Sequence, residues 1–473
     1  MDWSYFGEAE EGRKAGEVQE SVKVHEEQDL GIHALGADQV LAILELLPVP
    51  CILTFGMTCR RFRDLANTDA LWLHICRREW GSSAVDAWPS LVTSQDFRWK
   101  DLHIQMLALG SIRWHMLRQG DVAPAPRASH SMVTTSEKII IVGGGHDGGR
   151  HLADTWMAPI PADTSEIISW QQTSVGIPGG RFGQSCTIVE DMLVLFGGIN
   201  DNGTRQNDTW VCKGVNHRNT PSWQLLEVAA APCARGAHAG CYGGENKVVV
   251  YGGIGSDGIR LDDTWLLDLS ERPLPAWHRV NTTTSPPARS GHSLTWVGGN
   301  CMILFGGRGT RFEVRNDVWL LVMNDEFAKW VELRASELHP KHGVPSPRAG
   351  HSATLIFGGR VLIYGGEDDR RGRKGDVWVL DSSAGTPLGD LSTSVGLYQR
   401  KSSKPQEKLE RKFWKKLEQW GQAPSRRSFH GASPVLSGRA VLIFGGMVDG
   451  ELLPSAAAGL SFDGGLYLLQ LAP

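Results

Sequence analysis

The chain has 473 residues and a formal net charge of −4, so no overall charge favours binding to nucleic acid or to an anionic membrane. This length suits two or three ordinary domains, or one large repeat array with an appended module, and no apolar run reaches the roughly 18 residues of a membrane helix. Its eight cysteines include no Cys-x-x-Cys pair, which argues against a disulfide framework or a structural zinc site and favours a reducing compartment, cytoplasmic, nuclear or both.

The first segment, residues 1–33, is acidic and polar. It lacks the apolar core of a secretory signal and the basic character of a transit peptide. This composition predicts a disordered tail.

Residues 34–81 begin with three short runs of apolar residues at helical spacing, and the first run ends at Pro48. Helices this short share too small a core to be stable alone, so their apolar faces predict a partner. The spacing resembles an F-box, with Gly36 where that motif usually has proline and Thr58 where it often has valine. The alternative is a small helical cap packed on the rest of the chain.

The F-box resemblance implies that this module docks a Skp-type adaptor. The motif match also includes Ile52, Leu53, Arg60 and Arg61. Among the matching residues, those that we expect to bind the adaptor are Leu35, Ile43, Leu44, Leu47, Pro48, Cys59, Phe62 and Leu65. Residues 82–112 then predict a helical linker.

An internal repeat occupies residues 113–473. The first position that recurs in every unit is an arginine, found at Arg127, Arg181, Arg235, Arg289, Arg348 and Arg427. Three residues after each arginine stands a histidine, or in one unit Gln184. An apolar run ending in a glycine pair follows, then a polar loop, an Asp-x-Trp sequence and a last, closing tryptophan.

Each unit thus contains four short strand candidates separated by turns, and the run before the glycine pair is apolar on both faces. Units that cannot bury themselves and that repeat around an axis predict a β-propeller. The repeats resemble kelch repeats over residues 114–471, and six copies predict six blades. The strand of Trp114 precedes the first arginine, so we expect it to close the ring as the outermost strand of blade six, where Gly465 and Tyr467 replace the usual Asp and Trp.

Most of the residues that look chemical in each unit are expected to be structural. A glycine pair after a buried strand lets the neighbouring blade approach, and it lacks the helix and the Lys-Ser/Thr of a phosphate loop. Arg348, which must be paired if it is buried, has the Asp before Trp378 as its expected partner. The recurring histidines lie one per blade, which makes a poor metal site, and we assign no metal, no cofactor and no catalytic residue.

In a four-stranded blade with strands a to d, the b–c and d–a loops share one face. Five of the six b–c loops contain an arginine, and these are expected to form the substrate face: Arg150, Arg205, Arg260, Arg315 and Arg373. Guanidinium groups pair bidentately with carboxylate and phosphate, so an acidic or phosphorylated segment is one hypothesis for the ligand. The alternative is that these arginines bind neighbouring loop acids, of which Asp201, Asp257 and Asp368 are candidates.

One loop breaks the period, because the c-to-d step is 9 residues from Asp268 to Trp277 but 33 from Asp381 to Trp414. The insertion, 382–413, is Ser-rich and then basic. A loop of this length costs only about 1 kcal/mol of extra closure entropy, so tolerance alone explains it. By topology it projects away from the b–c face.

The fold expected is therefore an all-β six-bladed kelch propeller preceded by a small all-α F-box module and a helical linker. This combination resembles plant F-box/kelch-repeat proteins. The resemblance implies a non-catalytic substrate-recognition subunit of a Skp–cullin–F-box ubiquitin ligase, monomeric within that complex, which binds the adaptor and, through it, a cullin. The alternatives are a kelch scaffold that acts without a cullin and, less in keeping with the residues, a metal-dependent propeller enzyme.

Overall fold

The computed structural model describes residues 31–80, 85, 97–147, 149–216, 222–324, 327–333, 343–381, 414–449 and 460–472. The expected acidic tail and the insertion at 382–413 lie almost wholly outside these residues. The chain divides into two compact units, Met1–Leu71 and Trp72–Pro473.

The first unit is helical. After a 3₁₀ turn at Ile32–Ala34 it contains helices α1 (Ala37–Leu46), α2 (Val49–Phe55) and α3 (Arg60–Ala66). Helix α1 ends where Leu47 turns to extended backbone before Pro48, as the sequence predicts. Helix α3 packs against α1 and α2. A stack of Phe55 on Phe62, with ring centroids 4.2 Å apart, fixes one of these contacts.

The boundary between the units falls inside helix α4 (Asp69–Trp80), and helix α5 (Trp99–Ala108) belongs to the second unit. Trp80 contacts Phe357, with ring centroids 4.4 Å apart. Phe357 lies in the a–b turn of blade five, so this part of the linker lies at the a–b side of that blade.

Six antiparallel blades follow. Blade one has strands a to d at Ser131–Thr134, Lys138–Val142, Asp154–Pro159 and Gln171–Val175, and blade two at Ser185–Val189, Met192–Phe196, Thr209–Lys213 and Ser222–Leu225. Blade three has Ala239–Gly244, Lys247–Tyr251, Thr264–Asp268 and Ala276–Val280, and blade four Ser293–Gly298, Cys301–Gly309, Val314–Met323 and Ala328–Leu333. Blade five has Ala349–Ile356, Arg360–Glu367, Val377–Asp381 and Trp414–Lys416, and blade six Gly431–Val435, Ala440–Phe444, Leu466–Ala472 and Ser111–Gln119.

Shorter strands accompany the blades, and most of them form separate two- or three-stranded sheets. They are Ile167–Ile168, Arg181–Phe182, Ile199–Asn200, Arg235–Gly236, Ile254–Gly255, Arg289–Ser290, Glu418–Gly421, Arg427–Ser428, Met447–Asp449 and Leu460–Phe462. A 3₁₀ turn, Leu436–Gly438, joins strands a and b of blade six.

The ring closes as predicted. The strand Ser111–Gln119 pairs antiparallel with Leu466–Ala472, from Ser111 opposite Ala472 to Leu117 opposite Leu466. Glu418–Gly421 adds a parallel fifth strand to the outer edge of blade six.

The cores lie between blades, which explains why the b strands are apolar on both faces. In blade two, Leu193 and Leu195 pack towards blade one, whereas Val194 and Phe196 pack towards blade three. Successive residues of a strand point to opposite faces, so an uninterrupted apolar run serves two interfaces at once.

Candidate functional site: the inner ring and the b–c face

Six buried arginines line the inside of the ring, and in blades one to five each forms a bidentate ion pair with the Asp-x-Trp aspartate of its own blade. In blade five, the Arg348 guanidinium donates to Asp376 through Nη1 to Oδ1 (2.8 Å) and Nη2 to Oδ2 (3.0 Å). The same aspartate accepts a hydrogen bond from the indole of Trp378 at 2.6 Å. The partner expected for Arg348 is confirmed.

Blade six lacks the Asp-x-Trp sequence and finds its carboxylate elsewhere. Arg427 donates through Nη2 to Asp463 Oδ2 at 2.6 Å, and Asp463 stands two residues before Gly465. Tyr467 replaces the tryptophan, and its ring lies under Arg427 with Cζ 4.9 Å from the centroid. The sixth blade therefore keeps the buried pair by a different loop geometry.

The glycine pairs couple each blade to the next. The first glycine accepts a hydrogen bond from the arginine of its own blade, as Gly252 does from Arg235 at 3.1 Å, and the second donates its N–H to the next blade's arginine carbonyl, as Gly253 does to Arg289 at 2.9 Å. A Cβ at Gly252 would lie 2.8 Å from that Arg289 carbonyl oxygen, and its φ is +62°. These N–H groups are already hydrogen-bonded within the propeller, so the glycine pairs have a structural role.

The recurring histidines are buried beside the arginines. Burial, reinforced by the neighbouring arginine, lowers the pKa of His130, His238 and His351 to about 3 and holds that of His292 and His430 well below its ordinary value. These side chains are therefore neutral near pH 7.

Three of these histidines bond the serine that follows the histidine position in the preceding blade. The pairs are His238 with Ser185, His351 with Ser293 and His430 with Ser352, each at 2.9 Å between Nε2 and Oγ. Blade three has Ala239 at the serine position, and among the described residues Nε2 of His292 has no hydrogen-bond partner.

This difference gives a test of the inter-blade contact. We expect Ala239→Ser to raise the free energy of unfolding by about 1 kcal/mol, because the new hydroxyl satisfies a buried nitrogen. Ser185→Ala should lower it by about 1–3 kcal/mol, since it leaves the His238 nitrogen unpaired. Urea unfolding followed by tryptophan fluorescence measures both, and an Ala239→Ser variant no more stable than the parent would contradict the assignment.

A second inter-blade contact was not foreseen from the sequence. The closing tryptophans of blades two, three and four donate to the threonine of the preceding Asp-Thr-Trp: Trp223 to Thr155 (2.9 Å), Trp277 to Thr209 (3.1 Å) and Trp330 to Thr264 (3.0 Å). Blades four and five have Val318 and Val377 instead. The signal in the sequence was the change from DTW in blades one to three to DVW in blades four and five.

The b–c and d–a loops share a face, as predicted, since Arg181 and Gly180 of a d–a loop line one pocket with Asn200 to Asn202 of a b–c loop. The five predicted face arginines are not equivalent on it. Three of them occupy equivalent positions in their loops: Arg205, Arg260 and Arg373. Each forms a β-bridge with the residue that follows the glycine pair of its own blade. His151 and Val314 hold that position in blades one and four, so Arg150 and Arg315 are one residue out of register.

Two of the five arginines are already paired with carboxylates. Arg373 Nη1 donates to Asp449 of blade six, and Arg315 Nη2 donates to Glu313 of its own loop at 2.5 Å. For the other three, Arg150, Arg205 and Arg260, no carboxylate partner is present among the described residues.

The loop acids proposed as alternative partners are engaged with other groups. Asp201 accepts from the backbone N–H of His151 at 2.7 Å, Asp257 from that of Ile259 at 2.9 Å, and Asp368 from Lys374 at 2.6 Å. The hypothesis that loop acids neutralise the arginines is therefore right for two of them, but the three named acids are not the partners.

Arg260 lies on an exposed patch across blades three and four. Its guanidinium carbon is 4.7 Å from the ring centroid of Phe312, which is 66% exposed and has a left-handed φ of 65°. Burial and the nearby Arg308 lower the pKa of Arg260. A bulky residue held at positive φ is strained, and such strain is often found at binding sites.

In the helical unit the predicted adaptor-binding residues divide into two groups. Leu44 and Phe62 are buried, and Cys59 caps α3 by accepting the N–H of Phe62 on its sulfur at 3.5 Å. Ile43 and Pro48 are exposed, and Leu35, Leu47 and Leu65 are half-buried. Leu44 and Phe62 are therefore core residues of this unit in the structure, and their contact with the adaptor stays a prediction.

Besides the predicted Ile43, the same unit exposes three apolar residues that were not among the predicted adaptor-binding residues: Leu46, Leu53 and Met57. We call these four the exposed apolar patch; in it Leu46 is 83% and Met57 79% exposed.

The described residues contain no cluster of three or more His, Cys, Asp or Glu side chains that could hold a metal ion. No helix in the described part of the chain is both long and apolar enough to cross a membrane. All eight cysteines are free thiols.

Comparison with known proteins defines the class. The model of the F-box-like family matches residues 38–78, and that of the KLHDC2/KLHL20/DRC7 Kelch-repeats domain matches 183–383 and 299–459. The solved structure of YjhT superposes with a TM-score of 0.50 over 73% of this chain and 95% of that one, at 16% identity, and so supports the fold alone.

Full-length similarity is stronger. F-box/kelch-repeat protein At1g51550 of Arabidopsis thaliana is 43% identical over 92% of this chain and 91% of its own length. Adagio protein 3 of the same plant and Adagio-like protein 1 of Oryza sativa are 29% and 28% identical, and this chain spans 58% and 56% of their lengths. The chain therefore belongs to the F-box/kelch-repeat proteins.

Proposed function

We propose that the protein is the substrate-recognition subunit of a Skp–cullin–F-box ubiquitin ligase. One observation carries the proposal: a single chain contains both an F-box-like unit, which has an exposed apolar patch, and a propeller. The recurrent Arg, Asp, His and Gly residues of that propeller form contacts within the propeller itself. The polar residues that recur in every blade then have a structural role, and the loops, which differ from blade to blade, recognise the substrate.

In this proposal the chain contributes no catalytic group. The helical unit binds a Skp-type adaptor, and a cullin and a conjugating enzyme are brought by that adaptor. The propeller holds a protein substrate, so the rate of ubiquitin transfer rises through the effective concentration of substrate lysines. The free thiols fit a reducing compartment, and we place this activity in the cytoplasm, the nucleus or both.

The adaptor surface is proposed to be the exposed patch of Ile43, Leu46, Leu53 and Met57, together with the half-buried Leu47 beside it. Several large apolar side chains exposed on one small unit are typical of an interaction site. In this proposal the other predicted residues support the surface from beneath or lie at its margin: Leu35, Leu44, Pro48, Cys59, Phe62 and Leu65.

The proposal is tested by co-purification. The tagged chain should bring down both the adaptor and a cullin, and adaptor without cullin would instead support a scaffold that only holds or relocates its partner. Capture of neither protein would contradict both functions.

A matched pair of variants locates the adaptor surface. Leu46→Asp combined with Met57→Asp should lower adaptor binding at least about tenfold, because two charges would enter an apolar interface. The helical unit should remain folded, since both side chains are exposed; helicity by circular dichroism verifies this. Glu45→Asp with Thr58→Ser serves as the control, and unchanged binding by the Leu46/Met57 variant would exclude the patch.

A further inference from the structure

A cleft of about 720 Å³ opens on the b–c face beside blade five. One wall is the b–c loop of blade five, from Asp368 to Asp376. The opposite wall is the d–a segment that leads into blade six, from Lys416 to Arg426. Its volume falls within the range of about 300–1,000 Å³ that is usual for ligand pockets.

The lining of the cleft carries an excess of positive charge. Four cations line it: Arg373, Lys374, Lys416 and Arg426. Two carboxylates do so as well, but both are already bound, Asp376 by Arg348 and Asp368 by Lys374 at 2.6 Å.

Lys416 and Arg426 are exposed, and no carboxylate among the described residues lies within ion-pair distance of either. The ammonium of Lys416 lies 5.9 Å from the ring centroid of Trp378. Two cations held at a concave surface without a counter-charge create a positive potential there.

Arg373 supplies a buried donor to the same wall. Its side chain is only 9% exposed, its Nη1 donates to Asp449, and its Nε has no hydrogen-bond partner among the described residues. An unpaired buried donor costs free energy, which an arriving acceptor would recover.

The cleft is held in shape before any ligand arrives. Gln419 donates through Nε2 to the carbonyl of Gly375 at 2.9 Å and accepts the Trp114 indole N–H at 2.9 Å, so it ties the two walls and the closing strand together. A preformed wall lowers the ordering cost of binding.

We propose that this cleft binds an acidic segment of the substrate, with Lys416, Arg426 and Arg373 contacting its carboxylate or phosphate oxygens. The proposal rests on the propeller being a substrate receptor, and it names the substrate's chemistry. The chain's net charge of −4 disfavours an extended polyanion and favours a short, locally acidic peptide.

The test measures binding of fluorescein-labelled peptides to the purified full chain by fluorescence polarisation. One probe is Gly-Asp-Glu-Asp-Gly, a second has phosphoserine in place of the central Glu, and the control has Asn, Gln and Asn in place of its acids. Wild type should bind both acidic probes and not the neutral one, and the tighter of the two identifies carboxylate or phosphate as the preferred group.

Charge reversal by Lys416→Glu with Arg426→Glu should weaken binding of the acidic probes about tenfold or more, because attraction becomes repulsion. Lys213→Glu with Arg279→Glu makes the same change in net charge at exposed positions of strands c and d, and should change affinity less than about twofold. Equal affinity of the cleft variant and wild type, or loss only in an Arg205→Glu, Arg260→Glu variant, would overturn the proposal. Adaptor capture is measured on the same preparations, so failure of the receptor function is recognised separately.

Discussion

An Arg235→Ala variant is expected to lower the free energy of unfolding of the propeller by about 3–5 kcal/mol. Arg235 is fully buried and donates through Nη1 and Nη2 to Asp263 at 2.7 and 2.9 Å, and a third time to the carbonyl of Gly252. Its removal takes away the cation bound to the Asp263 carboxylate and leaves neutral donors such as the Trp265 indole N–H, at 2.7 Å.

The matched control lies in the same blade. Arg279→Ala deletes an exposed arginine from strand d and should cost less than about 0.5 kcal/mol. Urea unfolding of the two variants gives the comparison. A loss below about 1 kcal/mol for Arg235→Ala would mean that the ring does not depend on its buried pairs.

Acidification from pH 7 to about 5 is expected to destabilise the propeller by several kcal/mol. Burial lowers the pKa of His130, His238 and His351 to about 3 and holds that of His292 and His430 well below its ordinary value, whereas an unfolded histidine titrates near 6.5. Below pH 6.5 the unfolded state therefore binds more protons, and each histidine lowers stability by about 1.4 kcal/mol per pH unit until the folded pKa is reached.

The aspartates of the ring act in a different range. Hydrogen bonds and charge from the arginines outweigh burial and lower the pKa of Asp263, Asp317 and Asp376. Their contribution is complete above the unfolded pKa of about 3.9 and is lost only below it. The change between pH 7 and 5 therefore reports the histidines.

Blade two supplies the control for this prediction, because Gln184 naturally occupies the histidine position and donates to the Val142 carbonyl at 3.0 Å. His292→Gln should make the fall in stability shallower by about one proton, and Gln184→His should make it steeper by a similar amount. Stability measured by urea unfolding at half-unit pH intervals decides it; parallel curves for all three proteins would refute a histidine origin.

The repeat could be predicted from sequence because its parts answer to local and periodic constraints. A buried arginine needs a carboxylate, and in five blades an aspartate follows the arginine by 27 or 28 residues, so pairs such as Arg348 with Asp376 follow from the spacing. The closing role of the Trp114 strand follows from counting strands, since blade six otherwise ends one strand short.

The rest depended on which side chains meet across blades and on which face each helix buries. The register of b–c loops, which separates Arg205 from Arg150, is set by backbone bridges that loop composition does not encode. Leu44 and Phe62 match a motif whose residues serve both core and surface, and only packing distinguishes these from the exposed Leu46. The cleft is lined by Arg373 and Arg426 and is held in shape through Gln419 by Trp114. Trp114 is far from both arginines in the sequence, so the sequence did not indicate that they share one site.

The pairing of Ser111–Gln119 with Leu466–Ala472 also has a consequence in time. The first strand of the propeller to leave the ribosome is the last to find its neighbour, because almost the whole ring must be translated in between. At about 5–20 residues per second this interval is on the order of tens of seconds, during which an apolar strand edge waits unpaired. Newly made chains are therefore vulnerable to aggregation and to chaperone capture at this strand, and loss of Leu466–Ala472 would leave the ring open.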